Sequence, residues 1–393
     1  MNKERFFSCI LILLLIGVFL RFEFLFDANR YVVFRLYYLI FILFVIIFSI
    51  FVGFNVSTYI YIILTIIVSL IFCLFWLDFF ESAIKDSIRT VLHFIFFMIP
   101  IVIFKEMNFT SSYDTRRLIS FGILFCLLIS SIESFVRIFM PTSIILSKDS
   151  WNQNSIEQGL SSGLSADNFY VFKYGSFMFT DSNGLAVILV SLLSLCLIVR
   201  SRMLVTWTLL LILLCFSRSA YIGALITLLI YTFLFCFKSS IKKSIAFVVF
   251  LIVIFLPINY FLLNHHFQIS DGSLLTKFEI FSHLEKISNY TLAEQLFGFG
   301  IDKGNYVYSP GSDYYAHALI PLLLGHVGLV GIILYISVLI YFFNFGGGKL
   351  VLLFFVPFFI MGFSLASPWE PAPFVFFLIA SVYIHSINKE VLT

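Results

Sequence analysis

The chain has 393 residues, of which 61% are hydrophobic and only 11% charged, against roughly half and a quarter in soluble globular domains, so a soluble fold is excluded. A net charge of +3, with no basic patch interleaved with aromatics, excludes nucleic acid as a partner. What remains is a polytopic membrane protein whose first partner is the lipid bilayer, and its 53 Phe suit lipid-facing and helix-packing surface.

Taken in order, the chain opens with Asn2-Lys-Glu-Arg5 and an apolar stretch that ends in Arg21-Phe-Glu-Phe. No small-residue cleavage site follows, so this first stretch is expected to stay as an anchor. Runs of about 20 apolar residues suffice to cross roughly 30 Å of hydrocarbon. Twelve such runs fall at about 6–21, 34–53, 58–77, 88–104, 118–140, 180–199, 203–217, 219–237, 244–263, 316–343, 350–366 and 372–388. The tenth is long enough to be tilted or broken near Gly325 and Gly331. Lipid leaves helices as the way to satisfy the backbone, and no ten-residue alternation suggests a barrel. The expectation is an all-α polytopic membrane protein of about 12 transmembrane helices, one integral membrane domain over 1–393. No repeat of 20–50 residues is visible. The six cysteines, Cys9, Cys73, Cys126, Cys196, Cys215 and Cys236, all lie within apolar runs, so neither a disulfide framework nor a zinc site is expected.

Lys and Arg collect in cytoplasmic connections. With both termini inside, Lys3 and Arg5, Lys105 with Arg116 and Arg117, Arg200 and Arg202, Lys238 with Lys242 and Lys243, Lys349 and Lys389 fall on one side. The two long loops, about 141–179 and 264–315, then both face out. An even number of runs separates them, so they share a side whichever way the bundle is inserted.

Four features converge on that outer face. Lys173 to Gly184 closes the first long loop, where Asp181 and Asn183 suit either a helix cap or a ligand. Arg218 stands in the turn Ser217-Arg-Ser219, interrupting an apolar stretch from 203 to 237. A cation at a turn that barely leaves the membrane is costly without a partner, and an anionic ligand explains it better than packing. Lys277 and Glu279 precede Gly298-Phe-Gly300, which by itself means a tight turn. His317 lies where the second loop enters the tenth run, either as a solvated or capping residue or as a proton acceptor. His265, His266 and His283 are weaker candidates, and His326 is expected to pack within the bundle. Glu133 and Arg137, four apart near the outer end of the fifth run, share a helix face and read as a neutralising pair rather than substrate ligands.

Phe179-Thr-Asp-Ser-Asn-Gly-Leu-Ala, Phe216-Ser-Arg-Ser-Ala, Leu296-Phe-Gly-Phe-Gly, and Ala316-His-Ala-Leu-Ile with Gly325-His-Val-Gly-Leu-Val-Gly331, in this order, resemble the signature of the O-antigen ligase and polymerase superfamily. The resemblance covers about residues 170–345. It implies about twelve helices, two loops facing the periplasm from the bacterial inner membrane, and a metal-independent, inverting glycosyltransferase without cofactor. The implied donor is an oligosaccharide linked to undecaprenyl pyrophosphate. By the same resemblance, Arg218 takes the place of the family's outer-face arginine and His317 that of its loop histidine. The chain departs from the pattern at Lys277, where Arg is common, at Ala318, where Asn is usual, and at Ser182, where Pro is frequent. A lysine there is a point charge rather than a bidentate fork.

The chemistry fits these residue types. Breaking the anomeric bond leaves charge on the lipid pyrophosphate, which Arg218, Lys277 and Lys173 would stabilise. His317, ordinarily titrating near about 6.5, would take the proton of the attacking sugar hydroxyl. Within the superfamily the chain looks most like a Wzy-type O-antigen polymerase. Lys173, eleven residues before Gly184, resembles a polymerase loop pattern with Lys in place of Arg, and a chain-length regulator of the same pathway is an expected partner. The alternatives are an O-antigen ligase, whose acceptor is lipid A core, and from a different class a lipid-linked oligosaccharide flippase. The flippase reading calls for short loops, inverted repeats and mid-membrane charges, none of which is evident.

The orientation is open to direct measurement. Cysteines placed at Ser155 and Ser288 in a background without native cysteines should react with a membrane-impermeant thiol reagent in intact cells with permeabilised outer membranes. Labelling only after lysis would invert the topology.

Overall fold

The computed structural model describes residues 3–27, 30–51, 53, 55–80, 102, 113–139, 182–236, 272–301, 303–311, 316–363 and 367–390. Two expected runs (88–104 apart from Val102, and 244–263), the first long loop (141–179), and the basic positions Lys105, Lys238, Lys242 and Lys243 lie outside the described residues.

The described chain is mostly helical. Helix α1 (Lys3–Phe19) leads into an antiparallel hairpin of β1 (Arg21–Asp27) and β2 (Arg30–Arg35), followed by α2 (Leu36–Phe51), α3 (Val56–Phe80) and α4 (Tyr113–Phe139). Then come α5 (Ser182–Val199), α6 (Arg202–Leu213) and α7 (Arg218–Tyr231), the last ending in a π-helical turn, Thr232–Cys236. The second long loop holds α8 (Gly272–Ser282), a 3-10 stretch (His283–Asn289) and α9 (Leu292–Phe297). The chain closes with α10 (Leu319–Gly346), α11 (Gly348–Met361) and α12 (Ala372–Glu390). Among the described residues, four stretches are long and apolar enough to cross a membrane: Arg116–Phe139, Ser182–Val199, Arg218–Phe235 and Leu319–Asn344. The protein is therefore a helical membrane protein.

Two features add to the expected helical bundle: the hairpin β1–β2 between α1 and α2, and the helices inside the connection 264–315. A capping box starts α9: Thr291 Oγ1 accepts from the Glu294 amide while Glu294 Oε2 accepts from the Thr291 amide, satisfying two helix-start donors reciprocally. Ile280 is buried in a small second core with Tyr308, Ala316, Ala318 and Leu322, against which Phe281, Leu284 and Ile287 pack. The spacing of 280, 284 and 287 is one helix face.

The main core is continuous from α1 to α12. Its centre is α5, apolar all round and almost wholly buried, as a helix enclosed by others must be. Around it pack α4, α6, α7, α11 and α12, with polar stitches such as Ser194 Oγ to the Leu353 carbonyl (3.1 Å) and Trp207 Nε1 to Ser131 Oγ (2.9 Å). Gly223 of α7 lets α11 approach so closely that a Cβ there would lie 2.6 Å from Met361 Sδ. Outward faces of α4 and α10 expose Phe121, Ile132, Ile333 and Ile340, the side chains a lipid environment would cover.

Helix α10 is broken at Gly328 (φ 60, ψ −164), between the two glycines at which a break was expected. A break orphans the last carbonyls of the segment before it. Here the Phe299 amide donates to the Gly325 carbonyl (2.8 Å) and the Gly300 amide to the His326 carbonyl (3.2 Å). Gly298-Phe-Gly300 is thus more than a turn: it lies along the broken helix and replaces its missing donors. Such an approach requires bare backbone, since a Cβ on Gly298 would sit 2.6 Å from the Gly328 nitrogen and 2.7 Å from that of Val327. Gly298 itself has φ 74, where an L side chain is strained.

These glycines yield a comparison. Gly347 has φ 84 and ψ 140, and a methyl group there would meet nothing within 4 Å, so alanine should cost only backbone strain, about 1–3 kcal/mol. Gly298→Ala carries the same strain plus a collision with main chain, on the order of 2 kcal/mol more. Thermal unfolding in detergent should rank the two in that order, and equal losses would mean that the close approach is not rigid.

Candidate active site

Arg218 is the first residue of α7 and is exposed. The turn that delivers it is braced from two helices. Arg137 Nη2 of α4 donates to the Leu214 carbonyl (2.9 Å), Ser182 Oγ of α5 donates to the Cys215 carbonyl (2.8 Å), and Ser217 Oγ donates to Asn183 Oδ1. Tyr221 reaches back from α7 to the Leu213 carbonyl (2.9 Å). Between these anchors Phe216 adopts φ 51, a left-handed conformation that persists for a bulky residue only where its surroundings over-determine it. Ser182 stands where the resemblance favours proline, and its hydroxyl bond is one that proline cannot make. Asn183 lies inside the first turn of α5 and serves the neighbouring turn rather than capping its own helix. Arg137 and Glu133 are both buried, and Arg137 bonds the Leu214 carbonyl rather than serving Glu133 alone.

Ser217 is the N-cap residue of α7 but makes no side-chain capping bond. The positive end of the helix dipole and the Arg218 cation therefore meet at one place, and both favour negative charge nearby.

His317 sits in an extended segment just ahead of α10. On one side the Ala316 amide donates to the Asn305 carbonyl (2.7 Å); on the other the Leu319 amide donates to the Gly362 carbonyl (2.8 Å). The N-cap position, Ala318, offers no side-chain cap, and the Gly362 carbonyl fixes the helix start in its place. Burial, and after it the charge of Lys277 in α8, lower the His317 pKa to about 4, so the ring is neutral at pH 7. The tyrosines of the same wall respond in the opposite sense, since burial disfavours their anion: Tyr308 is pushed up to about 12.

Arg218 and His317 lie at the same end of the bundle. Gly223, about 7.5 Å along α7 from Arg218 at 1.5 Å per residue, lies against Met361; the next residue, Gly362, holds Leu319. Asn183 joins Arg218 through Ser217, and Lys277 joins His317 electrostatically. Lys173, Asp181, Asp313, Tyr314, Tyr315, His265 and His266 lie outside the described residues. His283 Nδ1 meets the Ser309 carbonyl (2.9 Å) and serves the loop's own fold. His326 packs in the bundle as expected, yet both of its ring nitrogens are bonded: Nδ1 accepts from Trp369 Nε1 and Nε2 reaches Asn305 Oδ1, each at 2.8 Å. Sequence reasoning did not single out Asn305 or Trp369. The hint they leave lies in composition, a polar Asn after Gly304 and a Trp-Glu pair between Pro368 and Pro371 in an apolar region. Among the described residues no three His, Cys, Asp or Glu gather as metal ligands.

The brace under Arg218 is testable. Arg137→Met removes the donor to Leu214 and leaves Glu133 buried without that neighbour's charge, so unfolding should come at lower temperature by a loss on the order of 3 kcal/mol. Glu133→Gln in the same chain should recover part of it. A double variant no better than Arg137→Met would show that Glu133 does not answer to Arg137. The chain matches no family model, no curated protein and no solved structure.

Proposed function

We propose that the chain is a Wzy-type O-antigen polymerase of about twelve membrane crossings, with residues 141–179 and 264–315 on the periplasmic face of a bacterial inner membrane. It transfers glycan from undecaprenyl pyrophosphate to the next lipid-linked repeat unit, with inversion and without a metal or cofactor. The observation that carries the reading is the pairing, at one end of a membrane bundle, of a rigidly presented cation at a helix start with a neutral histidine beside a lysine. Transfer from a pyrophosphate carrier asks for these two things: positive charge where the leaving group develops its negative charge, and a basic nitrogen for the acceptor hydroxyl. Arg218 and Lys277 supply the first, His317 the second. Lys173, Asp181 and Asn183 complete the donor side in this reading, Asn183 by holding the turn. The amphiphilic donor accounts for a site at the bilayer surface. A ligase would use the same machinery with lipid A core as acceptor, and a chain-length regulator fits as a partner of either.

The electrostatics give the reading a signature. A histidine whose pKa is lowered to about 4 is deprotonated throughout the neutral range. Activity that needs the free base then persists as pH falls through 6.5 and is lost only as pH approaches about 4. Bound pyrophosphate is an anion and favours imidazolium, which raises this pKa. The acid limb of kcat, which reports the complex, should accordingly lie at higher pH than that of kcat/KM, which reports the free enzyme.

Three measurements test the proposal. In a deletion strain, one repeat unit per core on a lipopolysaccharide gel supports polymerase, whereas bare core with polymer left on the carrier means ligase and bare core with unit held inside means flippase. Arg218→Lys should impair polymerisation and Arg218→Ala impair it further at unchanged protein level. His317→Ala should lower the rate by about a hundredfold or more, insensitive to EDTA; near wild-type ladders from His317→Ala would remove it from the chemistry.

A further inference from the structure

The buried side chains of Trp369 and His326 and the half-buried one of Asn305 are tied in a line that the proposed reaction does not itself use. The indole Nε1–H of Trp369, in the connection between α11 and α12, donates to His326 Nδ1 (2.8 Å). An indole N–H is a donor only, so Nδ1 is the acceptor nitrogen and the ring proton sits on Nε2. That Nε2–H donates to Asn305 Oδ1 (2.8 Å). The main-chain carbonyl of the same Asn305 accepts the amide of Ala316 (2.7 Å), the residue just before His317. His326 is 3% and Trp369 2% exposed, and their rings lie nearly parallel, 13° apart, so neither has room to find a substitute partner.

We infer that His326 and Asn305 are positioning residues for His317: the line Trp369–His326–Asn305 sets the height and direction of the segment that carries the proposed base. The inference rests on the reading of His317 as that base. Its physical content is that two routes leave the α11–α12 connection and end on either side of one histidine. The Gly362 carbonyl grips the Leu319 amide directly, and Trp369 reaches the Ala316 amide through His326 and Asn305. Gly304, next to Asn305, is pressed against the Gly325 carbonyl at the break of α10, and a Cβ on it would lie 2.5 Å from that oxygen. The hub residue thus cannot drift along the helix. Fixing the segment at two points removes the rotation that would otherwise swing His317 away from an attacking hydroxyl, and misplacement by about 1 Å is worth on the order of a hundredfold in rate.

The test uses the full chain in detergent, with undecaprenyl-pyrophosphate-linked glycan extracted from cells that lack the protein as substrate. Asn305→Leu and His326→Leu should lower kcat tenfold or more while leaving KM for the donor within about twofold, since Arg218 and its turn are untouched. Asn305→Asp keeps the acceptor oxygen and should stay within about threefold of wild type. Trp369→Phe keeps an aromatic ring but loses the N–H and the pyrrole half of the indole; it is the milder variant that stands in if the leucine variants fail to fold, and it should lower kcat by a smaller factor. In each impaired variant that folds, amide hydrogen exchange of the peptide spanning 316–319 should accelerate by more than exchange elsewhere in the chain. Wild-type kcat and wild-type exchange in Trp369→Phe and Asn305→Leu, with His317→Ala inactive, would overturn the inference while sparing the proposed base. If His317→Ala is instead fully active, the base reading falls, and exchange at 316–319 alone then decides whether this line holds the segment.

Discussion

The arrangement depends on one constraint: a helix broken inside an apolar bundle must have its freed carbonyls answered. Lipid offers no donors, and an orphaned peptide group costs several kcal/mol there. At Gly328 the answer comes from a different part of the chain, the amides of Phe299 and Gly300. Side chains would hold those amides too far away, so Gly298, Gly304, Gly325 and Gly328 meet backbone to backbone. The segment 298–305 is consequently fused to the helix it precedes, and Asn305, Ala316 and His317 hang from that joint.

The two halves of the candidate site are built by different means. Arg218 is presented by a turn whose carbonyls are held by side chains, Arg137 and Ser182, and whose own Ser217 is held by Asn183. His317 is presented by main-chain bonds at either side of it. Side-chain bracing tolerates a strained φ at Phe216; main-chain bracing keeps an extended segment straight ahead of a helix that lacks a side-chain cap. Both devices leave the two side chains in fixed positions; in the proposed reaction that would reduce the reorganisation left to the chemical step.

Arg218 stands at the positive end of α7, and Lys277 lies close enough to His317 to help depress its pKa. Both are placements of like charge that the packing of the helices holds together. His317 is held neutral first by burial and only then by the charge of Lys277.

How much of this was legible beforehand divides along a physical line. Local sequence was enough for the membrane class, for the positions of α1 to α7 and α10 to α12 to within a few residues, for the cost of leaving Arg218 at a turn, and for a break in the tenth apolar run. All of these follow from local sums of hydropathy and from glycine, whose conformational freedom is its own. Packing was needed to establish that Gly298-Phe-Gly300 closes that break, that Asn183 serves Ser217 rather than its own helix, that Arg137 bonds Leu214, and that His326 links Trp369 to Asn305. These partners lie 34, 77, 43 and 21 residues apart for the side-chain bonds. A polar atom's partner at that separation is chosen by how helices pack, because the lowest free energy goes to whichever donor the fold brings within about 3 Å, and no local pattern carries that information.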